Sequence, residues 1–147
     1  MVYDSAGVTD TLTSVITNST TLNKFVRNVS RASGNTAGTG AMICGGNTYY
    51  SAGVSTKTTD TMEYCLRASV ATGEPTLTNA LIMDDAPAFT SYVPNSTSLN
   101  GVPVADIGGA SPLATANGGL LVNSPGEAAG EIAGGDTAVV LFQVVVD

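Results

Sequence analysis

Residues 131–147 read EIAGGDTAVVLFQVVVD. From Thr137 to Val146 there is no charge, no Gly and no Pro, and the valines give the run a high β-propensity. Its even row, Ala138, Val140, Phe142, Val144 and Val146, is wholly apolar. The odd row, Val139, Leu141, Gln143 and Val145, is apolar except at Gln143. A strand with one face on a core and one in water alternates apolar with polar, and this one hardly does. The expectation is a strand covered on both faces and paired along its length. Left as an open edge, it would invite aggregation.

Composition frames that strand. The chain has 147 residues, enough for one domain with a real core. Ser, Thr, Gly, Ala, Val and Asn dominate, with 12% charged and 5% aromatic residues. Such a mix suits an all-β extracellular module with small polar loop residues. A net charge of −7, with its few Lys and Arg scattered, leaves no basic patch and argues against nucleic acid as a partner. No apolar run is long enough to span a membrane as a helix. The opening MVYDSAGVTDT has neither the basic start nor the apolar middle of a secretory signal. On that reading the chain is already processed, or is made and used inside a cell as a phage particle protein is.

Working back along the chain, residues 58–69 alternate Met62, Tyr64, Leu66 and Ala68 against Glu63, Cys65, Arg67 and Ser69. This is the strongest interior strand signal. Residues 77–83 and 22–29 read as further strands, although neither face of 22–29 is cleanly apolar. Asn100-Gly101 is the best tight-turn signal and predicts a hairpin between residues 98–99 and 102–104. Residues 30–40 and 106–119 are Gly-rich loops, and Tyr49-Tyr50 falls in an irregular stretch. About seven or eight short strands and no helical period predict a two-sheet β-sandwich, residues 18–147, preceded by a loose extension at residues 1–17.

Cys44 and Cys65 lie in segments that can neighbour one another. They read either as a disulfide contributing roughly 3 kcal/mol or as two buried thiols behaving as small apolar residues. The chain has no His, so Ser or Cys nucleophiles lack their usual base, and neither an enzyme nor a cofactor is expected. Asp84 and Asp85, with Asp106, read as calcium ligands at a sandwich end or, more plainly, as charged turns. Lys24 or Lys57 beside a buried carboxylate would suit an internal Lys–Asn crosslink; a surface salt bridge is the plainer role. Asn18, Asn28 and Asn95 head Asn-x-Ser/Thr sequons.

Residues 58–147 also resemble the conserved-repeat module (the DUF-eleven type) of bacterial and archaeal surface proteins. The likeness runs through DTMEYCLRASVATGEPTLTNALIMDDAP, SYVPNSTSLNGVPVAD and GEIAGGDTAVVLFQVVVD, in that order, with LNKFVRNVS similar to the opening strand. Val70-Ala71-Thr72-Gly73 stands where that family has an Asn-Thr-Gly turn, and residues 30–50 form an insert. The resemblance implies an Ig-like β-sandwich that builds surface assemblies and carries no catalytic residues.

Assembly is the sharpest expectation. Residues 11–17 are a suitable donor strand, with Leu12, Val15 and Ile16 as its apolar members. Val139, Leu141 and Val145 are the candidate acceptor edge. A donor strand taken from the next copy gives a head-to-tail homopolymer at the cell surface. Alternatively, residues 1–17 form the first strand of their own domain or a linker. The other class of function is an adhesin or a capsid or envelope decoration module, binding through residues 30–50 and 106–119.

Overall fold

The computed structural model of the protein describes residues 2–3 and 11–13 as backbone strands, and residues 19–147. These residues form an all-β, two-sheet sandwich with antiparallel pairing throughout. The strands are β1 (Val2–Tyr3), β2 (Thr11–Thr13), β3 (Thr20–Asn28), β4 (Thr39–Cys44), β5 (Asn47–Ala52), β6 (Val54–Ser55) and β7 (Thr61–Val70). They continue with β8 (Leu81–Met83), β9 (Thr90–Tyr92), β10 (Ser98–Leu99), β11 (Val102–Pro103), β12 (Leu120–Leu121) and β13 (Thr137–Val146). The excess over the expected count comes from β5 and from short strands of two or three residues.

The large sheet runs β11-β10-β13-β7-β3-β5-β4, with β9 also on β13. A smaller sheet runs β12-β8-β2, and β1 pairs separately with β6. Strand β13 is the centre. It pairs with β7 from Thr137↔Ser69 to Val145↔Thr61 on one side. On the other side β10 takes Val140 and Leu141, and β9 takes residues 144–146. Its even row is buried together with the even row of β7, so Phe142 lies opposite Tyr64 and Val140 opposite Leu66. The small sheet and its flanking loops close this core with Ile82, Leu113, Val122 and Ile132, all fully buried. Each such side chain contributes about 1.5–3 kcal/mol through burial.

The apolar odd row of β13 has a cause too. The β4–β5 hairpin folds over the outer face of the large sheet and forms a second, smaller core of Phe25, Cys44, Tyr49 and Cys65. Val139 and Leu141 pack against that core. Tyr49 and Tyr50 therefore lie in a strand, not in an irregular stretch. The polar Thr48 and Ser51 on either side of them hid the pattern.

Two turns constrain the chain by their backbone geometry. Asn100 and Gly101 have φ of 50° and 81°, the paired positive values of the tight hairpin turn that joins β10 to β11. Gly134, in the turn before β13, lies against the backbone carbonyl of Glu74, which a Cβ there would overlap. No helix among the described residues is long and apolar enough to cross a membrane.

Candidate functional site

The site is the flank of β8 that β2 covers. This short strand is the middle of the small sheet, paired through Ile82↔Leu120 on one side and Ile82↔Leu12 on the other. Ile82 is fully buried, while Leu81 and Met83 are half-buried. Without β2, β8 would present an open row of backbone donors and acceptors over the core. The segment that covers it comes from residues 11–13, within the extension anticipated as a donor strand. Leu12 thus lies in register with β8 of its own chain; Val15 and Ile16 fall outside the described residues.

The acceptor edge expected at Val139, Leu141 and Val145 is corrected by this topology. Strand β13 has neighbours on both sides, so its backbone groups are spent within the large sheet. The two apolar rows reflect a central strand covered by the β4–β5 hairpin, not an edge awaiting a partner. The edge completed by the N-terminal segment is β8.

Immediately behind β8 lies a buried ion pair. Strand β3 points its even residues inward, which carries Lys24 into the core between Leu22 and Val26. Its Nζ lies 2.9 Å from Asp84 Oδ1 and 2.7 Å from Oδ2. Asp84 directly follows β8, and its backbone N–H donates to the Leu113 carbonyl. The side chains are 2% and 0% exposed. Two charges out of water are compensated by pairing, and removing one would leave the other's buried charge without its counter-charge. The Lys24 amine also lies 4.6 Å from the Tyr64 ring centroid and 5.7 Å from that of Phe142, two rings stacked 5.2 Å apart. The pair joins the large sheet to the small one across the core.

The outer face carries the Cys44–Cys65 disulfide, which ties the β4–β5 hairpin to β7. Beside it, Glu63 accepts hydrogen bonds from Arg27, from the Tyr49 hydroxyl and from Gln143 Nε2. Burial by itself would raise the Glu63 carboxyl. The three donors and the Arg27 charge outweigh burial and hold it below the ordinary range. Burial, and then the Glu63 carboxylate, pushes the Tyr49 hydroxyl up. At the foot of β7, Asp60 accepts from Asn28 Nδ2, Arg31 Nε and the Lys57 backbone N–H. There too burial would raise the carboxyl, and these donors with the Arg31 charge lower it.

The other anticipated residues are dispersed. Asp84 faces the core, Asp85 accepts from the Thr115 N–H and hydroxyl, and Asp106 accepts from the Tyr92 hydroxyl and the Asn95 N–H. They do not converge, and no group of three or more metal-ligating side chains forms among the described residues. Lys57 is exposed. Asn28 is corrected as a glycosylation candidate: it is buried, and its amide nitrogen donates to Asp60 and to the Ser55 carbonyl. Asn95 is exposed in a turn, whereas Asn18 lies outside the described residues. The sequence reading missed the Glu63 hub and the role of Asp84. A charge at the inward parity of β3 was the available signal for the buried pair. Compared with known proteins, the chain matches no family model, no curated protein and no solved structure.

Proposed function

We propose that this chain is a structural subunit of an extracellular filament, pilus-like fibre or surface layer, polymerising head to tail by exchange of its N-terminal strand. The observation that carries the reading is the completion of the small sheet by β2 along β8. A strand held at a sheet edge and borne on a terminal extension is the element that copies can trade at low cost, because the same backbone bonds form in either arrangement. A contact of this kind is heterologous, so repetition gives a fibre unless the rotation closes. The disulfide fits an oxidising compartment. The likeness to the conserved-repeat module of surface proteins points the same way, and no catalytic role is proposed.

The test compares the full chain with one lacking residues 1–17, by size-exclusion chromatography and electron microscopy. The reading expects filaments from the full chain and a soluble monomer from the truncation, which a synthetic peptide of residues 1–17 then binds. Identical discrete particles from both would end it. One observation favours the second reading, an adhesin or a capsid or envelope decoration module. A cleft of about 310 Å³, lined by Arg27 and Asn28 of β3 and by Thr36, Asn47, Thr48 and Tyr50, opens beside the residue 30–50 region anticipated for ligand contact.

A further inference from the structure

We propose that Lys24 and Asp84 condense into an intramolecular isopeptide bond that joins the two sheets covalently. The inference is independent of the filament reading. It rests on the placement of one amine and one carboxyl group. Nζ lies within 2.9 Å of both carboxyl oxygens, so the amine and the carboxyl group are already held in contact. Both side chains are essentially sealed from solvent, and the stacked rings of Tyr64 and Phe142 cover the amine. Transfer of one proton from the ammonium to the carboxylate gives a nucleophilic amine beside a carboxylic acid.

The step balances without an outside reagent. The Nζ lone pair attacks Cγ of Asp84, a C–N bond forms, and one Cγ–O bond breaks. The departing oxygen takes two protons that began on the Lys24 ammonium and leaves as water. Nothing is oxidised or reduced. The neutral amide that remains removes the buried charges, and the exclusion of bulk water disfavours its hydrolysis. The bond would link β3 of the large sheet to the residue that follows β8 in the small one, across the core between them.

Mass spectrometry of the reduced, denatured full chain tests this directly. The expected intact mass is one water below that of the sequence in most molecules. After trypsin, the uncleaved Lys24 peptide ending at Arg27 should be joined to the peptide beginning at Ala68, which runs to Asp147 because no Lys or Arg follows Arg67. The Lys24→Arg variant should show no water loss. An unmodified mass in the folded wild-type chain overturns the proposal and leaves the pair ionic. Loss of water confined to a single peptide, as in a succinimide, overturns it too. Should Lys24→Arg fail to fold, the wild-type peptide map decides alone.

Discussion

Breaking the Cys44–Cys65 disulfide should destabilise the fold by an amount set by the loop it closes. The cysteines are separated by 21 residues, for which chain entropy gives about 3 kcal/mol of stabilisation. For a chain of this size that corresponds to a melting point lower by roughly 6–12 °C. Reduction leaves both sulfurs in the small core with Phe25 and Tyr49, so it isolates the crosslink. Cys44→Ala with Cys65→Ala also removes two buried sulfurs and should cost about 1–2 kcal/mol more. Urea unfolding of oxidised, reduced and double-alanine proteins separates the two effects. If oxidised and reduced chains share one midpoint, the crosslink does not constrain the unfolded state and the chain-entropy reasoning fails.

Acid should weaken the fold through Glu63 and Asp60. Both carboxyls are held below their ordinary range, so their contribution is fully present above the unfolded value, about pH 4. It is lost as pH falls through the lower folded values, and stability measured from pH 6 to pH 2 should show that fall. Glu63→Gln should lower stability near neutral pH by roughly 2 kcal/mol, because Arg27 loses its charged partner, and should flatten the acid dependence. Gly134→Ala should cost about 1–3 kcal/mol by forcing a Cβ onto the Glu74 carbonyl, measured by thermal unfolding. A neutral effect there would mean that the turn yields.

Much of the fold was legible where one strand's two faces differ or are both apolar. Residues 61–70 announced themselves by alternation, residues 137–146 by two apolar rows of high β-propensity, and Asn100-Gly101 by the positive φ its turn demands. What could not be read was which strands are neighbours. Pairing is non-local, so the apolar rows of β13 show that it is covered without showing whether it is central or an edge. Leu77 to Ala80 also read as strand, yet Leu77 makes a single bridge to Ile132, and Ala80 bonds to Gly130 and Val122 outside the regular ladder. Lys24 blurred the alternation of β3 because a charged residue occupies an inward position. Its explanation, Asp84, lies just past β8 of the other sheet.

The most direct test of strand exchange combines Thr13→Cys with Leu81→Cys, at register partners between β2 and β8. The native disulfide is kept, and the assembled protein is oxidised and run on a denaturing, non-reducing gel. Exchange between copies predicts a ladder of covalent multimers that collapses to monomer on reduction. A single monomer band, with the two introduced cysteines joined within one chain, would show that each copy completes its own small sheet and would contradict the proposed polymer.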